Sequence, residues 1–205
     1  MELSVSELWM SQPEPGKEPE AEIARFALLI ERAISGDRSA FGEIVVRHER
    51  RVLTLALRLL GTMEDAQDAA QEVFLRALKY LRRFDTAKPL EPWLVRMTVN
   101  VCRRVGRKRQ RQQGVFVYGQ IDHPDPGRNP HDDLNIGEQR QMLYRALDGL
   151  PEGERTAIVL RDIEGLTTAE VGALLGISEA TVRSQISVAR LKVRKAVERM
   201  KGGRR

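Results

Sequence analysis

Apolar residues recur at helical spacing along most of the chain. In the clearest stripe, the spacing between successive apolar residues alternates between three and one. It consists of Ala66, Ala69, Ala70, Val73, Phe74, Ala77, Leu78 and Leu81. Similar stripes predict helices over about 21–34, 40–60 and 92–111, and again from residue 138 onward. Val115 to Tyr118 is the only stretch that could form a short strand. We therefore predict an all-α fold.

Two stretches interrupt the helical pattern. Residues 1–20 are polar and proline-rich, which predicts a mobile, disordered N-terminal tail. Residues 112–137 contain three prolines, four glycines, and four aspartates against one arginine, a composition typical of a linker. The pattern thus predicts two small helical domains, over 21–111 and 138–205, joined by a flexible linker over 112–137.

The overall charge favours polyanionic partners. Charged residues make up 31% of the chain, hydrophobic residues 41%, and the net charge is +5. This balance does not choose between DNA, RNA and acidic membranes. The only cysteine, Cys102, excludes an intramolecular disulfide and fits a reducing cytoplasm, and we interpret it as a core residue. No signal-like or membrane-length apolar run occurs, so we expect no direct membrane insertion.

Enzymatic chemistry finds no support in the residue pattern. The histidines are His48, His123 and His131, and they lack metal-ligand spacing. No glycine-rich phosphate loop or nucleophile elbow is present. We therefore expect no catalytic residue, metal, cofactor or small-molecule substrate.

The C-terminal third carries the signals of a helix-turn-helix. Thr167 and Glu170 have the spacing of a capping box at a helix start. Gly176 permits the positive φ of a tight turn, and Ser178 can cap a second helix. Two short amphipathic helices around a glycine turn are typical of a DNA-binding helix-turn-helix.

The second helix of this motif separates into two faces. The inward positions are Val182, Ile186 and Ala189. The outward positions are Glu179, Ala180, Thr181, Arg183, Ser184, Ser187 and Arg190. We expect the N-terminal residues of this helix to contact base edges, and Arg190 and Lys192 to contact phosphates. Residues 179–205 hold nine basic and two acidic side chains, which favours DNA over the alternative of a plain surface hairpin.

A second basic run lies at the end of the predicted N-terminal domain. Residues 103–111 include six basic residues in nine. Such a run is often only a solvated helix end. Here it extends a helix packed through Trp93 and Met97, so it could align cations along a nucleic-acid backbone.

These stretches together resemble a known family, the sigma-70 factors of bacterial RNA polymerase. Residues 65–78, DAQDAAQEVFLRAL, resemble region 2.2, while Phe84-Asp85 and 93–100, WLVRMTVN, with the arginines that follow, resemble regions 2.3 and 2.4. Residues 146–166 resemble region 4.1, and the helix-turn-helix resembles region 4.2. The order of the motifs and the short gap between them are similar to the extracytoplasmic-function (ECF) subfamily, which lacks region 3.

The resemblance implies partners and a role for each set of residues. Binding of core RNA polymerase is implied for Asp68, Gln71, Glu72, Leu75 and Arg76. Contacts with the −10 promoter element are implied for Phe84, Asn100, Arg103, Arg104 and Arg107, with a flipped base held by the loop 84–91. Contacts with the −35 element are implied for Thr181, Arg183, Ser184, Ser187, Arg190 and Lys192. An anti-sigma factor is a further partner that the family implies.

Several positions depart from the common family pattern, which implies an altered promoter preference. They are Leu90, Pro92, Ala180, Gln185 and Val188. One alternative function stays open, a two-domain helix-turn-helix regulator that binds operators without core polymerase. It explains the C-terminal half equally well. It leaves the polar face of residues 68–76 and the basic run 103–111 unexplained.

Overall fold

The computed structural model describes residues 20–113 and 134–202. Within these ranges every regular element is helical, which confirms the all-α prediction. The α-helices are α1 Glu20–Ile34, α2 Arg38–Leu60, α3 Met63–Tyr80, α4 Leu90–Gln113, α5 Leu134–Asp148, α6 Glu152–Ile158, α7 Thr168–Leu175 and α8 Glu179–Gly202. Residues 1–19 of the predicted tail, most of the predicted linker and the strand candidate at 115–118 lie outside the described residues, while Glu20 begins α1.

The chain divides into two compact units. Of the described residues, 20–57 and 63–112 form the first unit, and 58–62, 113 and 134–202 form the second. Each unit has a helical core of its own. The presence of two small helical bodies agrees with the predicted architecture, while the domain boundaries chosen from the sequence stay a prediction.

The predicted break between the first two helices is confirmed. Gly36 adopts a φ of 106°, a conformation that ends α1 at little steric cost. Asp37 then caps α2, because its Oδ1 accepts hydrogen bonds from the backbone N–H of Ser39 at 2.9 Å and of Ala40 at 3.2 Å. Hydrogen bonds from the Ser39 hydroxyl and from Arg32 hold the pKa of the Asp37 carboxyl far below its usual range.

The small residues of α3 form much of its buried side. Ala66, Ala69, Ala70, Val73 and Ala77 are all buried. Leu78, predicted to share that side, is instead 48% exposed, so that prediction was wrong. With about 100° between successive residues, Leu78 lies about 120° from the centre of the buried stripe. Because its spacings alternated between three and one, the predicted stripe extended further around the helix than the buried side does.

The fourth helix begins earlier and ends later than predicted. It starts at Leu90, so the polar loop covers residues 84–89, and Pro92 stands in the first turn as expected. It continues to Gln113, two residues into the predicted linker. Its buried side includes Cys102, and burial raises the pKa of this thiol to about 12. The thiol is therefore inert near neutral pH, which confirms the interpretation as a core residue.

The first helix of the C-terminal part, α5, begins at Leu134, four residues before the start predicted from the sequence. Gly137 suggested a linker, but one glycine costs a helix only about 1 kcal/mol and does not end it. After α6 the chain forms a π-helical turn over Val159–Ile163, in which the Glu164 amide donates to the Val159 carbonyl at 3.0 Å. The core of this unit includes Leu147, Ile158, Leu160, Val171, Val182 and Val193.

Candidate nucleic-acid interface

The capping box predicted at the start of the helix-turn-helix is present. The Thr167 side-chain oxygen accepts a hydrogen bond from the Glu170 amide at 3.2 Å. The Glu170 carboxylate in turn accepts from the Thr167 amide at 2.7 Å. Hydrogen bonds that the Thr167 amide and hydroxyl donate to the carboxylate lower the pKa of the Glu170 carboxyl. The reciprocal bonds fix the first turn of α7.

The turn after α7 is closed by glycine. Gly176 has a φ of 71°, and the amides of Gly176 and Ile177 donate to the Gly172 carbonyl at 2.8 and 3.0 Å. Ser178 then caps α8 through a 3.1 Å bond from the Thr181 amide. The segment α7–turn–α8 therefore has the helix-turn-helix geometry that the sequence predicted.

The two faces of α8 are as predicted. Val182, Ile186 and Ala189 are buried in the second unit. All of the predicted outward positions are exposed, namely Glu179, Ala180, Thr181, Arg183, Ser184, Ser187 and Arg190. The start of α8 thus presents short polar side chains and an arginine to solvent, as a helix that enters a major groove requires.

The cations of this surface are held by carboxylates, a feature that the sequence did not predict. Arg190 donates two hydrogen bonds to Asp162 of the π-helical turn, at 2.8 and 2.6 Å. These bonds raise the pKa of Arg190 further above its usual range. Lys192 binds Glu154 at 2.8 Å, and Arg183 binds Glu179 at 2.9 Å. Asp162 lies 28 residues before Arg190, so no local spacing indicated the pair.

A basic cleft lies along one side of α8. Its volume is about 460 Å³. Four arginines line it together with Thr168, Ile186, Ser187 and Leu191, and these arginines are Arg161, Arg183, Arg190 and Arg194. Arg161 and Arg194 were not among the predicted site residues. Arg194 shares the helical stripe of Arg183 and could have been found from spacing, whereas Arg161 reaches the cleft only through the π-helical turn.

The residues with an implied role in polymerase binding share the outward side of α3. Asp68, Gln71 and Leu75 are exposed, while Glu72 and Arg76 are half-buried. Leu75 is 62% exposed, although it is a large apolar residue. The structure therefore brings these five residues together on one side of a helix.

Glu72 is bound by two arginines at once. Arg76 of the same helix donates to Glu72 Oε1 at 2.8 Å, and Arg104 of α4 forms an ion pair with Glu72 Oε2. Burial alone would raise the pKa of the Glu72 carboxyl, but the hydrogen bonds from Arg104 and Arg76 outweigh it and lower the pKa. One carboxylate thus joins the side implied for polymerase to a residue implied for −10 DNA.

The residues with an implied role at the −10 element lie mainly on one side of α4. Asn100, Arg103, Arg104 and Arg107 fall within about 100° of the helix circumference. Asn100, Arg104 and Arg107 are exposed and Arg103 is half-buried. Phe84, in the preceding loop, packs against Trp93 with ring centroids 5.1 Å apart. The structure places aromatic rings beside the N-terminal part of α4 and cations beside its C-terminal part.

Comparison with known proteins relates both helical parts of the chain to one family. Residues 44–112 match the family model of sigma-70 region 2, and residues 140–193 match that of sigma-70 region 4. The chain is 32% identical over 171 residues to the ECF RNA polymerase sigma-E factor of Escherichia coli K12, an alignment that covers 80% of this chain and 89% of that protein. The chain belongs to the ECF group of sigma-70 factors.

A second relative agrees with this membership, and a solved structure shares the fold. The ECF sigma factor SigE of Mycolicibacterium smegmatis is 37% identical over 166 residues, which cover 78% of this sigma factor and 63% of the mycobacterial protein. The solved structure of the sigma factor RpoE of Bartonella quintana, in complex with the anti-sigma factor NepR, has a TM-score of 0.62. That match covers 77% of this chain and 96% of the Bartonella chain at 23% identity, and it shows a shared fold. Among the described helices of this sigma factor, none has the length and apolar character needed to cross a membrane.

Proposed function

We propose that this sigma factor binds core RNA polymerase, recognises −10 and −35 promoter elements, and promotes transcription initiation in the cytoplasm. The observation that best supports this proposal is the presence of matches to regions 2 and 4 in one chain, in that order. A helix-turn-helix regulator that acts without polymerase accounts for residues 140–193 alone. It gives no reason for the match over residues 44–112.

The outward side of α3 suits a protein partner. Leu75 is exposed beside the half-buried Glu72 and Arg76, so an apolar contact would be surrounded by charged groups that can form hydrogen bonds. This combination is typical of a protein interface with an apolar centre and a polar rim. We assign core polymerase binding to this side, through Asp68, Gln71, Glu72, Leu75 and Arg76.

The two remaining surfaces suit nucleic acid. On α4, the exposed Arg104 and Arg107 supply positive charge for phosphates, and the Phe84–Trp93 pair supplies aromatic rings of the kind on which unpaired bases stack. On α8, Thr181, Arg183 and Ser184 occupy the first two turns of an exposed recognition helix. We assign −10 recognition to the surface on α4 and −35 recognition to that on α8.

An anti-sigma factor is a second proposed partner. The Bartonella RpoE was crystallised with the anti-sigma factor NepR. In the present chain, Leu75 and Leu78 leave apolar area exposed on α3. An anti-sigma factor that covers this area would compete with core polymerase for the same surface.

The test is promoter opening that depends on both components. The full chain and core polymerase are combined with genomic fragments of the bacterium that encodes the chain, and unpaired thymines are detected with permanganate. We expect reactive thymines near a start site only when both proteins are present. The double variant Gln71→Arg, Leu75→Arg should lose polymerase binding and opening, because it adds two cations to the proposed docking side.

The matched control is the double variant Leu28→Arg, Val46→Arg, which adds the same charge at exposed apolar residues of α1 and α2. It should open the same fragments as the wild type. Tight, sequence-specific DNA binding by the isolated chain, without polymerase-dependent opening, would favour the regulator and overturn the proposal. Unchanged polymerase affinity of the Gln71/Leu75 variant, with native helicity, would refute the assignment to α3.

A further inference from the structure

Two apolar side chains on the exposed side of α8 have no role in the assignments above. Val188 is 40% exposed and Leu191 is 50% exposed. The opposite side of the helix already supplies the core contacts through Val182, Ile186 and Ala189. The packing of the second unit therefore does not require an apolar residue at either exposed position.

The position of these residues on the helix is specific. With about 100° between successive residues, Ser184 and Leu191 lie within about 10° of the direction opposite the buried side. Val188 lies about 50° from that direction. Uncharged side chains thus form a strip along the outward side of α8, which starts at Thr181 and continues through Ser184 and Val188 to Leu191.

Cations lie on both sides of this uncharged strip. Arg183, Arg190 and Arg194 line the basic cleft on one side. Lys192 lies about 60° from the strip centre on the other side. A helix in a major groove has a phosphate backbone on each flank and base edges in front of it. The charges of α8 match that arrangement, and they fit a polyanionic duplex better than an apolar protein surface.

The chemistry of the groove decides what an exposed valine would contact. Among the four bases, only thymine presents a methyl group, at C5, in the major groove. Val188 has two methyl groups, and it lies in the third turn of α8. The side chain one turn earlier, Ser184, is short and does not prevent the helix from approaching the base edges.

We propose that Val188 determines promoter preference by packing against the C5-methyl group of a thymine in the −35 element. This inference rests on the proposed function, since it takes α8 as the helix that reads that element. Val188 is then a specificity residue whose contact is apolar, beside the polar and charged contacts of Thr181, Arg183 and Ser184.

The experiment removes single methyl groups from the DNA. A promoter fragment that the wild-type holoenzyme opens is first prepared with its −35 segment randomised. The wild-type holoenzyme then selects its preferred −35 sequences from this pool. Synthetic duplexes of the selected sequence then carry uracil in place of one thymine at a time, a change that removes only the C5-methyl group. We expect one position at which thymine binds about fourfold more tightly than uracil, the ratio for burial of about one methyl group.

Two variants assign that preference to a side chain. Val188→Ala should bind the thymine and uracil duplexes equally at that position, with unchanged polymerase affinity and unchanged hydrogen exchange in α8. Val46→Ala, which truncates an exposed valine of α2, should keep the wild-type preference.

The remaining outcomes of these binding measurements would contradict either the role of Val188 or the proposed function. A wild-type holoenzyme that selects −35 sequences but never distinguishes thymine from uracil would overturn the inference, as would a preference that survives in Val188→Ala. Loss of polymerase affinity in Val188→Ala would show that the side chain contacts protein, which also overturns it. A holoenzyme that selects no −35 sequence would contradict the proposed function itself.

Discussion

The close approach at Gly172 makes a quantitative prediction about the helix-turn-helix. A Cβ built at this buried residue would lie 2.9 Å from the Ile177 carbonyl oxygen and 3.8 Å from a methyl group of Val182. The nearest atom is backbone, and the Ile177 and Gly176 amides are themselves bonded to the Gly172 carbonyl. Gly172→Ala therefore requires the turn between α7 and α8 to move.

Two opposing effects set the size of the change. Alanine favours a helix over glycine by about 1 kcal/mol, whereas an extra carbon in a closely packed site costs about 1–3 kcal/mol. The oxygen that obstructs the Cβ is held by the turn, so we expect the packing cost to lie in the upper part of that range, at about 2–3 kcal/mol. The net destabilisation of α7 and α8 should be about 1–2 kcal/mol, which corresponds to roughly 5- to 30-fold faster amide exchange.

Hydrogen exchange of the full chain, followed by mass spectrometry, measures this change in the peptides of α7 and α8. Amides of α3 provide an internal reference in the other unit. Gly149→Ala is the matched control, because its Cβ would meet the Ala146 and Arg145 carbonyl oxygens at 3.5 and 4.0 Å, both ordinary contacts. Exchange in α7 and α8 of Gly172→Ala that is unchanged or slower would refute the reasoning.

Three further predictions concern side chains described above. The pKa of the Cys102 thiol is about 8.5 in an unfolded chain and about 12 in the folded protein. The free energy of unfolding should therefore be highest below about pH 8.5 and should fall as the pH rises between these two values. Denaturation should show wild type losing about 1.4 kcal/mol per pH unit relative to Cys102→Ala between about pH 9 and 11, and equal slopes would contradict this. Glu72→Gln should lose the Arg104 pair and cost less than about 1 kcal/mol near neutral pH. That difference should shrink in acid as the wild-type carboxylate protonates, so a pH-independent difference would count against it. Arg183→Ala should change −35 preference, whereas Arg190→Ala should weaken all duplexes alike and lower the salt slope by about one. Anisotropy titrations of the holoenzyme distinguish the two, and equal losses on selected and scrambled sequences for Arg183→Ala would exclude base reading.

Signals that act over a few residues were sufficient to predict the helix-turn-helix. The capping pair Thr167 and Glu170 and the positive φ of Gly176 depend only on neighbours in sequence, and each appears where it was predicted. Helix ends were less predictable. A lone glycine at 137 did not stop α5, and Leu78 lies outside the buried stripe because the assumed face was too wide.

The ion pairs that join different elements of the site could not be predicted in the same way. Asp162 lies in the π-helical turn and accepts from Arg190 of α8, 28 residues later, a separation that no local spacing signals. The pairing of Glu72 with Arg104 depends on how α3 and α4 pack. The sets of exposed residues followed from helical period and family resemblance, whereas the charge partners contributed by other elements required the tertiary structure.

The shared carboxylate of Glu72 has a consequence for how variants of this protein are interpreted. A substitution that removes it releases Arg104 from its partner, and so alters the side of α4 assigned to −10 DNA as well as the side of α3 assigned to polymerase. Defects at positions 72 and 104 should therefore be non-additive, and a double variant is needed to separate them. In a genetic screen, a weak promoter phenotype at residue 72 would not by itself identify which of the two partners had been lost.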